Sequence, residues 1–374
     1  MSSQPSRHSA AIAAVLATPE ADFELQEVEL DELRADEVLV RIEACGVCYT
    51  DTECRHLVPT PSVLGHEGAG VVERVGERVS KVQPGDRVVL TYPSCGTCAN
   101  CRSGHAHCCD HVGALAFGGQ RLDGSRTIRR GGQALASAFF QQSSFATRAV
   151  AHERGVVGVP ANTEPALLAA MACGVMTGAG AVVNTLALQK GESLAVFGTG
   201  AVGMSALMAA HIVGCVPIVA IDVNPQRLAL ALELGATHAV QAGEGSAARL
   251  GGIVPRGFDA ALDTSGRSAA MAVMFNALAM GGRAGIVTPP ADGGQDRVLL
   301  DQLFSRAGIL HSVYQGSSQA ERMIPQLLQW HAAGEFPVER LISRYPFPEI
   351  NRAFADAKAG VAIKPVLLMG GQGT

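Results

Sequence analysis

Aromatic side chains are scarce in this chain: one Trp, four Tyr and twelve Phe in 374 residues. Charge is scarce too, at 17% Asp, Glu, Lys and Arg, while apolar residues make up 48%. That balance excludes an intrinsically disordered chain, which needs the opposite proportions. There is no basic excess either. The net charge of −5 gives no electrostatic reason to expect nucleic acid or an anionic membrane surface. Internal repeats and low-complexity linkers are absent. What is abundant is glycine, 43 residues, which with so few aromatics implies many tight backbone approaches.

Membrane and secretion signals are also missing. Leu194–Ile221 runs 28 residues without Asp, Glu, Lys or Arg, long enough to span a bilayer. It is interrupted by Gly198, Gly200, Gly203, Gly214, His211 and Pro217, and its character changes along its length. A buried strand–helix–strand unit fits that pattern better than one continuous helix. Ser9–Ala17 is Ala-rich and has no clear cleavage site, so it reads as a first strand rather than a signal sequence. Ten cysteines clustered at metal-like intervals in a long chain point to metal binding in the cytoplasm rather than to disulfides.

The length favours two or three domains. The first 170 residues read as strands and turns: Glu37–Glu43 and Gly70–Val75 alternate, and Pro84-Gly85-Asp86 feeds the strand Arg87–Leu90. Phe117–Ala136, rich in Gly and Arg, reads as a long exposed loop. From about Val175 short apolar strands alternate with helices. The strands are Ser193–Phe197, Ile218–Ile221, Phe258–Leu262, Ala284–Val287 and Ile309–Tyr314, and the helices are Ala201–Val213, Pro225–Leu234 and Ser268–Ala279. Such alternation implies parallel βαβ units. A helix at Ala320–Ala333 and a strand at Ala362–Met369 follow, and the last stretch is expected to return to the first domain.

Three constellations carry chemistry. Gly198-Thr-Gly200-Ala-Val-Gly203 follows a strand and opens a helix, and Asp222 ends the next strand. That context is the dinucleotide fingerprint, and the acid favours NAD over NADP, with Arg227 the nearest basic residue. Cys95, Cys98, Cys101 and Cys109 set four thiols within 15 residues. A tetrahedral structural zinc suits a lobe (94–111) that has no core of its own. A [4Fe–4S] cluster is the rival, with the wrong fourth spacing, and a zinc module reading nucleic acid lacks the basic footprint. Cys108 competes with Cys109 as fourth ligand, and His105, His107 and His111 read as solvated lobe residues. Cys48, His66 and Cys173 form a dispersed set of the Cys₂His type that catalytic zinc uses. Cys45, Cys54 and Cys215 read as ordinary buried thiols.

Over essentially its full length the chain resembles the zinc-dependent medium-chain alcohol dehydrogenases. The resemblance rests on Gly46-Val-Cys48-Tyr-Thr50-Asp51, Gly65-His66-Glu67-Gly68, the four-Cys lobe, Cys173-Gly-Val-Met-Thr177-Gly178 and the Gly198–Gly203 turn with Asp222. It implies an α/β protein: a GroES-like β-rich catalytic domain at 1–174 and 314–374, and a Rossmann doubly wound parallel sheet at 175–313. It also implies two zinc ions per chain, NAD, and a homodimer or homotetramer formed through the sheet edge near Ile309–Tyr314.

Carried over residue by residue, the resemblance makes Cys48, His66 and Cys173 the catalytic zinc ligands, with Glu67 a carboxylate behind them. Asp51 orients His66, and Thr50 bonds the alcohol oxygen and begins a proton relay. Thr177 and Val202 pack against the nicotinamide, and Lys364 reaches the pyrophosphate. Two departures stand out. Tyr49 occupies a position where Arg or His often contacts the pyrophosphate, and Glu53 stands where many members place a relay His. Glu53 reads either as a relay carboxylate or as a solvated surface residue; His56 is a further relay candidate.

Phe117, Phe139-Phe140 and Phe145 with their neighbours look like the aryl (benzyl) alcohol branch, with Phe117, Phe139 and Phe140 as candidate pocket residues. At least two of these Phe are expected to be core. The resemblance implies oxidation of a benzyl-type alcohol to its aldehyde, with allylic terpenoid alcohols such as geraniol or perillyl alcohol as the alternative. An S-(hydroxymethyl)thiol conjugate would need a basic pocket, for which Arg121, Arg126, Arg129 and Arg130 are candidates. A zinc-free reductase of the same fold would lack the ligand set, and a zinc-stapled binding protein is disfavoured because that set is intact.

Overall fold

The alternation of Glu37–Glu43 matures into the strand Glu37–Gly46, the hub of the N-terminal region. The computed structural model describes residues 9–290 and 296–370. Glu37–Gly46 pairs antiparallel with Gly68–Val75, Arg148–His152 and Lys364–Leu368. The seven-stranded sheet runs Val156–Gly158, Arg87–Leu90, Gly68–Val75, Glu37–Gly46, Lys364–Leu368, Ile342–Pro346, with Arg148–His152 off that path. A five-stranded sheet built on Ser9–Leu16 and Phe23–Leu30 accompanies it. Ala13, Val15, Val28, Leu39, Ile128 and Val150 share a core in this region.

The chain divides into two units. One takes the chain to Cys173, then Gln319–Pro325, then everything from Glu339; the other is Gly174–Ser318 with Gln326–Val338. The C-terminal return is therefore later than residue 314 and comes in two passes. Asn184 Nδ2 donates to the Gly316 carbonyl at 3.2 Å and Thr185 Oγ1 meets Ser317 Oγ at 2.9 Å, which keeps 314–318 with the second unit. The later division falls inside helix Ala320–Ala332 at Pro325, where one amide is missing from the helical ladder.

The second unit carries a six-stranded sheet, all parallel, in the order His238–Gln241, Ile218–Asp222, Leu194–Phe197, Phe258–Asp263, Leu278–Ile286, Ile309–Ser312. Strands covered by helices on both faces read as continuous apolar runs, and Leu194–Phe197 and Ile218–Asp222 are buried throughout. The long uncharged run thus resolves into strand, helix Ala201–Val213 and strand. The helix long and apolar enough to cross a membrane among the described residues is a different one, Pro165–Thr185, and it is buried inside the protein.

Phe117–Ala136 is not an exposed loop. It holds a hairpin, Ile128–Arg130 against Gln133–Leu135, turned by Gly131-Gly132, both at positive φ. A Gly-Gly turn of that kind matches the twist of the strands it joins, but three-residue strands are too short to show a period. Arg121, expected in a solvated loop, is only 6% exposed. Its Nε donates to Glu37 Oε1 at 2.6 Å, Nη2 to Glu37 Oε2 at 2.9 Å and Nη1 to Asp31 Oδ2 at 3.0 Å. The pair explains how Glu37 can stand buried at the head of the hub strand. Arg121→Met should destabilise the fold by about 3–5 kcal/mol, because the Glu37 carboxylate would be left buried without a counter-charge, keeping only the Arg34 amide at 2.9 Å. Urea unfolding checks this, and a loss under about 1 kcal/mol would show that Glu37 finds water or another cation.

Candidate active site

Cys48 follows the hub strand and caps the short helix Tyr49–Glu53. Asp51, at the third position of that helix, reaches back: its Oδ2 accepts from the Cys48 amide at 3.0 Å. Its Oδ1 accepts from His66 Nδ1 at 2.8 Å. One fully buried carboxylate therefore fixes the Cys48 turn and selects the tautomer of His66, leaving Nε2 with its lone pair. Nε2 is buried with no hydrogen-bond partner. Cys173 arrives from a π-helical turn, Met171–Val175, in the long buried helix. Ligand atoms of Cys48, His66, Glu67 and Cys173 all lie within 4.8 Å of one another. An orphaned imidazole nitrogen facing two thiols is a donor set that fits zinc.

The electrostatics say the same. The Cys48 sulfur is pulled well below the usual thiol range, first by the hydrogen bond from Cys173 and then by His66, while Cys173 is pushed well up by giving that bond. Burial works to lower His66, yet Asp51 and the Cys48 sulfur raise it well above its ordinary value. Burial raises the Glu67 carboxyl to about 7 despite the Lys364 ammonium beside it. Crowding sets these groups against ionising together, and a cation among them would relieve that conflict.

Lys364 is tied to partners within its own unit. It is 2% exposed, its Nζ pairs with Glu67 Oε2 and donates to the Val47 carbonyl at 3.3 Å. Its signal in the sequence was a lone lysine opening the apolar strand Lys364–Leu368, a position that requires a buried acid. Tyr49 is exposed, as are Glu53 and His56, and Thr50 is half-buried with Oγ1 3.7 Å from the Cys48 sulfur.

The Phe residues gather around His66. The Phe140 ring stacks on the imidazole at 4.5 Å and 25°, Phe139 meets its edge at 5.7 Å, and Phe117 lies 5.6 Å from Phe140. Phe139 is wholly enclosed, so it supports the pocket from behind and does not line it. Phe145 is also enclosed, packed between Phe23 and Phe354. Phe140 and the half-buried Phe117 remain as wall residues.

In the Cys lobe the sulfurs of Cys95, Cys98, Cys101 and Cys109 lie within 4.8 Å of one another, and Cys108 is exposed outside the set. Backbone amides point at the sulfurs: Cys98 N to Cys95 Sγ at 3.3 Å, Cys101 N to Cys98 Sγ at 3.4 Å and Cys95 N to Cys109 Sγ at 3.2 Å. Burial tends to raise Cys95, but the Thr97 hydroxyl and the Thr97 and Cys98 amides bring it down to about 5. Burial and the neighbouring sulfurs push Cys101 up to about 12, and four sulfurs gathered this closely fit a tetrahedral metal. His105 and His111 are exposed; His107 is buried, against expectation, because it packs with His105.

In the second unit, Gly198 has φ of +90° and a Cβ on Gly203 would lie 1.9 Å from the Gly198 carbonyl, so the strand–helix turn closes only around glycine. A Cβ on Gly200 would meet no protein atom within 4 Å. That open space is what a glycine facing a pyrophosphate leaves. Asp222 Oδ2 accepts from the Thr199 amide and hydroxyl, both at 2.7 Å, and Oδ1 accepts from the Asn224 amide at 2.9 Å. The acid is thereby locked to the turn at the strand end. Arg227 follows on helix Pro225–Glu233, half-buried. Thr177 is buried on helix Met176–Gly180, and Val202 lies half-buried in the first turn of helix Ala201–Val213.

Comparison with known proteins agrees with this architecture. Residues 34–161 match the alcohol dehydrogenase GroES-like domain and residues 201–332 match the zinc-binding dehydrogenase domain. A geraniol dehydrogenase of Castellaniella defragrans is 44% identical over 361 residues, covering 95% of this chain and 97% of its own. The benzyl alcohol dehydrogenase of Acinetobacter calcoaceticus superposes with a TM-score of 0.91 at 35% identity, covering 97% of this chain and all of that one. An alcohol dehydrogenase zinc-binding domain protein from Burkholderia ambifaria reaches a TM-score of 0.93 at 43% identity, with the same coverage. With its GroES-like and Rossmann halves, two thiol-rich metal sets and a dinucleotide turn, the chain belongs to the zinc-dependent medium-chain alcohol dehydrogenases.

Proposed function

We propose that the chain oxidises primary benzyl-type alcohols to aldehydes with NAD, reversibly, Cys48, His66 and Cys173 holding the catalytic zinc and Cys95, Cys98, Cys101 and Cys109 a structural one. The observation that carries the substrate class is the Phe140 ring stacked on the His66 imidazole, with Phe117 beside it. An apolar aromatic wall next to the metal set suits a planar π-system attached to the carbinol carbon. Allylic terpenoid alcohols share that sp² neighbour, and the 44% identity to a geraniol dehydrogenase favours them as the second reading. The S-(hydroxymethyl)thiol conjugate loses support, because Arg121 is committed to Glu37 and Asp31.

When bound, zinc supplies Lewis acidity for the alcohol oxygen and NAD supplies the hydride acceptor. The remaining work falls to side chains. Asp51 holds His66 in one tautomer. Thr50 hydrogen-bonds the alcohol and passes its proton outward; Glu53 lies three residues on in the same short helix, hence on the same face, and receives it at the surface. Gly200 and the helix it opens cradle the pyrophosphate, Asp222 accepts from the adenosine ribose, and Thr177 and Val202 pack on the nicotinamide. Ten free cysteines suit the reducing cytoplasm. We further propose a homodimer through strand Ile309–Ser312, an edge of the parallel sheet with Ile309, Leu310 and Tyr314 exposed.

Nicotinamide absorbance on mixing with NAD⁺ tests the substrate. Benzyl alcohol should give kcat/KM at least roughly 100-fold above ethanol. If geraniol outruns benzyl alcohol, the second reading replaces the first, and if ethanol matches both, the aromatic wall selects nothing. Glu53→Gln should lower kcat at neutral pH by about 100-fold and remove one limb of its pH profile; an unchanged profile would return Glu53 to the solvated surface. Leu310→Lys, measured by light scattering, should convert the dimer to monomer while circular dichroism stays unchanged, and a persistent dimer would move the interface elsewhere.

A further inference from the structure

The segment that carries the aromatic wall has an unusual backbone. Ala138, Phe140, Gln141 and Ser143 all have φ between 51° and 61°, in the left-handed region that non-glycine residues avoid. Four such residues in six cost energy, and they persist only where surrounding contacts over-determine them. The contacts here are explicit. The Phe139 amide donates to Ser143 Oγ at 2.9 Å, and Ser143 Oγ donates to the Val63 carbonyl at 2.7 Å. The Ser144 and Phe145 amides donate to the Gly65 and Leu64 carbonyls at 2.9 and 3.0 Å. The coil is thus stitched to the chain that leads into His66.

Gln142 extends the stitching with its side chain. It is 2% exposed. Its Nε2 donates to the carbonyl of His66 and to that of Thr91, both at 3.0 Å. Its Oε1 accepts from the Gly68 amide at 3.2 Å and from Ser144 Oγ at 2.5 Å. Both amide hydrogens and both oxygen lone pairs are used, so this buried polar group is fully satisfied. Bonding the carbonyl of residue 66 and the amide of residue 68 reproduces the pair of bonds that one residue of a neighbouring parallel strand would make. The side chain therefore braces the backbone on both sides of Glu67, at the point where His66 and Glu67 turn toward the two thiols.

We infer that Gln142 is a positioning residue for the catalytic metal set, acting through the His66–Gly68 backbone. Asp51 fixes the His66 ring at Nδ1 and Phe140 covers its face, but neither holds the main chain from which the ring hangs. The Gly46 amide holds the Glu67 carbonyl at 3.1 Å, but the His66 carbonyl and the Gly68 amide on either side are both held by the one planar amide of Gln142. A carboxylate lacks the donors, and a thioether of equal length lacks both. The inference rests on the metal set of the proposed function and not on the choice of alcohol.

The test reads metal rather than turnover. Purified wild type should hold two zinc ions per chain by atomic absorption; one ion only would sink the proposed catalytic set itself, independently of Gln142. Gln142→Met and Gln142→Glu should keep the zinc of the Cys lobe and release the other to a chelator about 10- to 100-fold more readily than wild type, the range expected for partners behind a ligand. With Co²⁺ in the catalytic set, the visible band of either variant should shift in position or intensity. Val28→Ala, a buried core truncation in the same unit, controls for general loosening and should leave release and band unchanged. Wild-type release and an unshifted band in either folded Gln142 variant would overturn the assignment. So would equal zinc loss in Val28→Ala, or failure of both Gln142 variants to fold, since each would make the role merely structural.

Discussion

Everything in the catalytic unit is arranged around a cluster of buried acidic groups that cannot all ionise at once. Asp51, Glu67 and the sulfurs of Cys48 and Cys173 are brought together where water is excluded, and the one lysine among them is committed to Glu67. Isolated buried anions cost several kcal/mol each even after relaxation. A single ammonium does not balance such a group, and His66 is accordingly pushed toward its charged form by Asp51 and Cys48. A divalent cation removes the conflict at once, because it lets the imidazole be neutral and the thiols ionised. The zinc chemistry of the family is in this sense a solution to a folding problem as well as a catalytic device.

That constraint explains where the ligands come from. Glu37–Gly46 is the most heavily paired strand of its sheet, so the turn that leaves it at Cys48 starts from a rigid base. Cys173 comes from a π-turn, where the irregular helical pitch lets one side chain turn to the site without moving the helix. The Cys lobe solves the same problem locally. Its sulfurs accept from the lobe's own backbone amides, and all four ligands come from one short stretch of chain.

This difference decides what the sequence made legible. The Cys lobe and the Gly198–Gly203 turn are short-range: their spacing is their geometry, and helix Ala201–Val213 begins and ends where its pattern does. The parallel sheet was readable for the same reason, since each buried strand is a continuous apolar run. One misreading is local, the hairpin of three-residue strands at 128–135, and others are long-range. Arg121 looked solvated because its partners, Glu37 and Asp31, lie more than eighty residues earlier. Which acid pairs with Lys364 left no mark in the sequence, because Glu67 lies about three hundred residues away. Gln142 gave no signal at all, as its partners are backbone groups, and a left-handed coil of non-glycine residues has no period to read.

The coil at 138–145 also links two properties that are usually treated apart. Phe140, which would meet the alcohol, and Gln142, which braces the metal ligands, are two residues apart in one strained segment. Moving the Phe140 backbone to reshape the wall would disturb the left-handed turn on which Gln142 is carried. A smaller side chain at Phe117, on its own helix Val112–Phe117, leaves the coil's backbone bonds intact and removes only ring contacts to Phe139 and Phe140. Substrate range in this scaffold is therefore freer to change from the Phe117 side than from the Phe140 side. The reason is mechanical: one wall hangs from a regular helix, and the other is part of the frame that holds His66 in place.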